Sequence, residues 1–153
     1  MVPAPPPVFQ PRNPDWEAEA RANVANQPVM ASFGVTLAAI APGHCVLEMP
    51  FDRRWTQQTG VLQAGVPAVL ADSAGGVAGL SLMAPNSDVL AVEFKINFLA
   101  PAAGSIIRAD ARVVKPGRTL TITQVDVYGV AGDAVTHAAR MQQTLIRVDR
   151  PVG

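Results

Sequence analysis

Asp72 is the only formally charged side chain between Trp55 and Ser87, set in the small-residue run VLADSAGGVAG. A carboxylate isolated in this way is either a structural oddity, partly solvated at a subunit seam, or the reason the run exists, as a group for acid–base or nucleophilic chemistry. The other versatile side chains form no constellation with it. His44 and His137 lie on separate predicted strands without ligand spacing, and each reads as a structural or surface residue. Cys45 is the single cysteine, which excludes an intrachain disulfide and a cysteine-based metal cluster. No metal and no cofactor is expected. The chemistry rests on one acid.

A helix must hold that acid. Val66 to Met83 has no proline after Pro67 and stops before Pro85-Asn86, which predicts one helix over 66–83, roughly 27 Å long. Residues three and four apart share a helix face. Asp72 therefore sits with Ala68 and Val69 on one side and Gly75, Gly76 and Gly79 on the other, while Val66, Leu70, Val77 and Leu80 form the bulky stripe. Three helix-interior glycines cost about 3 kcal/mol relative to alanine. A face stripped so bare implies close approach of another backbone or of a ligand, and Gly76 is a candidate substrate-binding position.

Around this helix the pattern changes period. Asp15 to Asn26 reads as a short helix capped by Asn13 or Asp15. The stretches ASFGVTLAAIA and HCVLEMPF read as two strands joined at Pro42-Gly43, and PFDRRWTQQTG as a loop. Val89–Phe98, Ile106–Val114, Thr119–Val130 and Ala134–Val148 alternate apolar and polar residues between turns at Pro101–Gly104, Pro116-Gly117 and Gly132-Asp133. The fold class is α+β: an antiparallel sheet wrapped around one long central helix. Residues 1–30 are expected to form a proline-rich N-terminal arm with its short helix, and residues 31–150 a single domain.

Composition narrows the partners. The chain has 153 residues, with 49% apolar and 16% charged, a balance that predicts some apolar surface covered by another subunit. Twelve basic and twelve acidic residues cancel, which leaves no electrostatic case for nucleic acid. Val61–Met83 is apolar enough to raise a membrane span, but Asp72 near its middle and the glycines and serines of its second half argue against it. The N-terminus has no basic n-region and no apolar core of useful length, and five prolines among its first eleven residues predict an extended segment. A cytoplasmic location is expected.

The string QQTG-VLQAGVPAVLADSAGGVAGLSLM, followed by VLAVEFKINFLAPA and VVKPGRTL, resembles the PaaI-type acyl-CoA thioesterases of the hotdog fold, over about Gly34 to Val148. The resemblance implies a strongly curved sheet around the helix, edge-to-edge pairing of two protomers, and homodimers that pair again into homotetramers. It implies that Asp72 is the catalytic acid. The family's His-Gly-Gly turn falls on Gln63-Ala64-Gly65, so the backbone N–H at Ala64 becomes the oxyanion donor, at the positive end of the helix dipole. Gln57 falls where relatives place an amide that positions water or the acid from across the dimer interface, with Gln58 as the adjacent candidate. Lys115 and Arg118, around Pro116-Gly117, fall near the surface that holds the coenzyme A nucleotide.

Gln63 replaces the family's histidine, and glutamine can hydrogen-bond but not shuttle protons. Thioester hydrolysis tolerates this, because the thiolate leaves readily and the oxyanion donor is a backbone group. The expected activity is hydrolysis of an acyl-CoA or aryl-CoA thioester. The alternative is a hotdog protein that binds acyl-CoA without turning it over, as a sensor or scavenger. A hydratase of this fold would pair the helix acid with a histidine, and none lies between His44 and His137.

Overall fold

The alternating stretches become strands because one parity of each is apolar and finds a helix to cover it. In the computed structural model, which describes residues 8–150, helices α1 (Trp16–Ala25) and α2 (Pro28–Ser32) precede strands β1 (Thr36–Ala41) and β2 (His44–Pro50). Helix α3 (Gly65–Leu80) follows, then β3 (Ser87–Phe98), β4 (Ile106–Lys115), β5 (Leu120–Ala131) and β6 (Ala134–Asp149). The six strands form one antiparallel sheet in the order β1-β2-β4-β5-β6-β3. Bulges between Ala91 and Glu93, Val113 and Lys115, and Val127 and Tyr128 bend it. The hairpin turn expected at Pro42-Gly43 is present, with Gly43 at φ +74°.

The inner face of the sheet is set by parity. Cys45, Leu47 and Met49 of β2, Ile107, Ala109 and Ala111 of β4, Val125 and Val127 of β5, and Met141 of β6 are buried against Leu70, Ala71, Ala74, Val77 and Ala78 of α3. The alanines bring helix and sheet close together. The opposite parity carries paired charges. His44 Nε2 lies 2.9 Å from Asp110 Oδ1, His137 Nε2 lies 2.8 Å from Asp126 Oδ1, and Arg108 meets Glu48. Both histidines are thus on the outer face of the sheet, away from α3.

Several boundaries differ from the sequence reading. The central helix runs over Gly65–Leu80 rather than 66–83. Ser81 ends it: its hydroxyl donates to the Ala78 carbonyl at 2.7 Å and accepts from the Gly43 N–H at 2.8 Å, tying the helix end to the β1–β2 turn. The loop after β2 contains a 3-10 turn at Arg53–Trp55 and an isolated bridge between Thr56 and Leu62. Helix α2, started by Pro28, was not anticipated. Asp15 occupies the N-cap of α1 without a side-chain cap bond, and buried Asn13 accepts from the Asp15 N–H instead. Ala20, Val24 and Met30 join the main core, so the arm's helices pack on the domain. Most of the proline run lies in residues 1–7, outside the described residues.

β3 stands at the sheet edge and is exposed there. Leu90, Val92, Phe94 and Phe98 are 57%, 55%, 45% and 49% exposed. A twelve-residue edge of that composition, with unpaired backbone groups along its length, invites another strand.

Candidate active site

Asp72 lies on the flank of α3 nearest β6 and β3. Its Oδ1 accepts a hydrogen bond from Gln143 Nε2 of β6, and the same nitrogen donates to the Asp72 main-chain oxygen at 3.3 Å. Burial pushes the Asp72 carboxyl above the ordinary carboxylate range, and the Gln143 amide draws it part of the way back. A carboxylate made more basic by burial is what a nucleophile or general base requires.

The acid borders a pocket of about 260 Å³ shared with Gly76, Val89, Leu90, Asn23 and Gln27. One wall is polar: Ser73 Oγ donates to Gln27 Oε1 at 3.0 Å, and Gln27 Nε2 donates to Asn23 Oδ1 at 2.8 Å. The arm's helices therefore contribute to the acid's surroundings.

The three glycines have different partners. A Cβ at Gly75 would stand 2.1 Å from Gln143 Oε1, and one at Gly79 would stand 2.6 Å from Leu145 Cδ1. Those two make room for the sheet. Only at Gly76 would a Cβ meet nothing nearer than Val89 Cγ1 at 3.9 Å. The bare face is thus divided between sheet packing and a pocket, and only Gly76 belongs to the pocket.

At the other end of the site elements, Gln63, Ala64 and Gly65 start α3 as expected. Gln63 Oε1 accepts from the Gly65 N–H at 2.6 Å, so this side chain satisfies one orphan donor of the first turn. The Ala64 N–H finds no acceptor among the described residues. A second pocket, about 280 Å³ and largely apolar, lies here between Ala64, Pro67, Phe98, Leu99 and Ala138. Ala64 and Asp72 are eight positions apart, about 12 Å along the helix axis. One thioester carbonyl cannot reach both groups of a single chain.

Gln57 and Gln58 are exposed in the turn between Thr56 and Leu62, where the Gln57 backbone bonds Val61 and Gly60. Neither makes a side-chain bond to Asp72 within the chain; Gln143 supplies the amide that does. Lys115 and Arg118 are exposed around the β4–β5 turn, beyond the C-terminal end of α3. Cys45 is buried, and burial with the nearby Asp110 charge pushes its thiol up to about 12, which removes it as a nucleophile. Among the described residues no group of His, Cys, Asp and Glu is placed to hold a metal ion, and no helix is long and apolar enough to cross a membrane.

Known proteins resemble the chain in sequence and fold. The chain matches the thioesterase superfamily model over residues 59–136, just over half its length. Human acyl-coenzyme A thioesterase 13 is 33% identical over 98 residues, covering 63% of this chain and 69% of that protein. A thioesterase family protein from Silicibacter pomeroyi superposes with a TM-score of 0.86 at 42% identity, covering 88% of this chain and 98% of that one. The E. coli PaaI protein shares the fold, with a TM-score of 0.80 at 18% identity over 93% of this chain and 99% of that one. The family model over more than half of the chain and the shared fold of a sheet wound around one helix carry the same conclusion: the chain belongs to the thioesterase superfamily, as a thioester hydrolase of the PaaI-type hotdog fold.

Proposed function

We propose that the protein hydrolyses a coenzyme A thioester to the free acid and the thiol, at a site shared by two protomers. The observation that carries this reading is where the two pockets lie along β3. The Asp72 pocket adjoins Val89 and Leu90, at the start of the strand, and the Ala64 pocket adjoins Phe98 and Leu99, at its end. Two copies joined antiparallel along β3, the self-complementary contact of a two-fold dimer, set the start of one strand beside the end of the other. Each Asp72 then meets the partner's oxyanion donor. The 12 Å conflict within one chain disappears.

In this site the thioester oxygen rests against the Ala64 N–H, where the helix dipole favours developing negative charge. Asp72 either attacks the carbonyl carbon, forming a mixed anhydride that water opens, or takes a proton from water as that water attacks. In both routes the carbon–sulfur bond breaks and the thiolate leaves without a strong acid. Gln57, or Gln58 beside it, orients the water or the acid from the partner's loop. Lys115 and Arg118 receive phosphates of the coenzyme A nucleotide. The dimers pair again into tetramers, and a cytoplasmic setting suits a chain with one reduced cysteine.

Free-thiol release from a panel of acyl-CoA and aryl-CoA thioesters tests the reading, with turnover of at least one class expected. Binding of every ester with turnover of none identifies the protein as a binding module, and Gln63 as the mark of that change. Gly76→Ala gives a second check. A methyl there meets only ordinary contact, so the variant should be up to about 1 kcal/mol more stable toward denaturant. The same methyl narrows the pocket, so KM for the preferred ester should rise.

A further inference from the structure

Gln143 holds two groups at once, and only one orientation of its amide satisfies both. It has zero exposure on the inner face of β6, opposite Thr123 of β5. Thr123 Oγ1 donates to Gln143 Oε1 at 3.1 Å. With its oxygen occupied, the amide must aim its nitrogen at α3, where it donates to the carboxylate and to the main chain of Asp72. Turned over, the amide would set an acceptor against a carboxylate that only accepts. Gly75 supplies the room, since a Cβ there would collide with Gln143 Oε1 and come within 3.0 Å of Thr123 Oγ1. Residues of α3, β5 and β6 thus make one fixture around one carboxylate oxygen. Asp72 Oδ2 receives no hydrogen bond from the described residues, and Asp72 borders the pocket.

We propose that Gln143, its amide locked by Thr123, is the positioning residue of the active site: it fixes the Asp72 carboxylate through Oδ1 and leaves Oδ2 to the substrate or the attacking water. The proposal rests on the catalytic reading of Asp72 given above. Gln143 is also the one polar contact that favours the ionised acid against the burial that opposes it. Among the described residues no charged group acts on Asp72 beside it. The walls facing Asp72 are the amides Asn23 and Gln27 from α1 and its following turn, apolar residues of β3, and Leu145. Glu19, Asp88 and Arg150 line a neighbouring pocket beyond Asn23 and Gln27. The inner faces of β2, β4 and β5 present apolar side chains, threonines and the thiol of Cys45.

The test compares full-length variants by pH profile, kinetics and melting temperature. Gln143→Met keeps the volume and removes both polar atoms. Thr123→Val keeps the shape and removes the lock, while Thr123→Ser keeps the hydroxyl. For Gln143→Met, kcat should fall about 10- to 100-fold, the range for losing a hydrogen bond to a charged group, with little change in KM. Loss of the donor raises the acid's pKa, and activity requires the ionised form, so the acid limb of kcat/KM should move to higher pH. Thr123→Val should shift the limb in the same direction by less, and Thr123→Ser should restore the wild-type profile. Should Gln143→Met fail to fold, the Thr123 pair carries the test, because it leaves the Gln143 side chain in place and changes only what orients its amide. An acid limb unmoved in the folded variants overturns the positioning role, and an inactive Asp72→Asn beside it keeps the catalytic reading intact. Full turnover by Asp72→Asn overturns both.

Discussion

Asp72→Asn is expected to release thiol two or more orders of magnitude more slowly than wild type while remaining fully folded. Asparagine keeps the shape of the side chain, and its amide oxygen can still accept from Gln143 Nε2. It also removes a charge that burial disfavours, so melting temperature should hold or rise slightly. Catalysis and stability then move apart, which a misfolded variant cannot imitate. The wild-type pH profile should lose activity on the acid side at a pH above the ordinary carboxylate range, since the folded acid ionises late. Single turnover in ¹⁸O-labelled water reads the nucleophilic route from one side. Label in Asp72 marks attack by the carboxylate with the anhydride opened at the Asp72 carbonyl, whereas label only in the released acid is common to direct attack by water and to opening at the acyl carbon. Wild-type rates from Asp72→Asn would remove the acid from the mechanism.

Two inactive proteins should rescue one another. Ala64→Pro deletes the proposed oxyanion N–H, and Ala64 already sits at φ −56°, a value proline adopts. Loss of a single such donor costs about 10²–10³ in kcat. A dimer with one Ala64→Pro chain and one Asp72→Asn chain places both defects in one site and none in the other. Co-expressed under two affinity tags and purified as heterodimers, the pair should show about half of wild-type turnover, whereas each homodimer stays nearly silent. Heterodimers as inactive as the parents would confine each site to one chain and refute the shared arrangement.

Much of this was legible from residue patterns. Period-two alternation located β3 to β6, Pro42-Gly43 located the first hairpin, and charge isolation singled out Asp72. Gln143 was not found, because it is 71 positions from its partner and stands in a polar-looking stretch, Gln142-Gln143-Thr144. A signal was nevertheless present. Continuing the parity of Ala139 and Met141 puts Gln143 inward, as the parity of Val125 and Val127 puts Thr121 and Thr123 inward. Gln143 and Thr123 on inner positions answer Gly75 on the helix face, and the glycines alone suggest either a close backbone or a ligand without saying which. The helix end escaped for a related reason: Ser81 stops α3 through a bond to Gly43, 38 residues away, which no local pattern encodes.

The depth at which Cys45 lies has a practical side. Its thiol is fully buried on the inner face of β2, and with ionisation pushed up to about 12 the native protein holds almost no thiolate. A chromogenic disulfide reagent added to count liberated coenzyme A therefore draws no signal from the folded enzyme. Conversely, slow labelling of Cys45 in the absence of substrate times the rare openings in which β2 leaves the core, so one native atom serves as a clock for that opening.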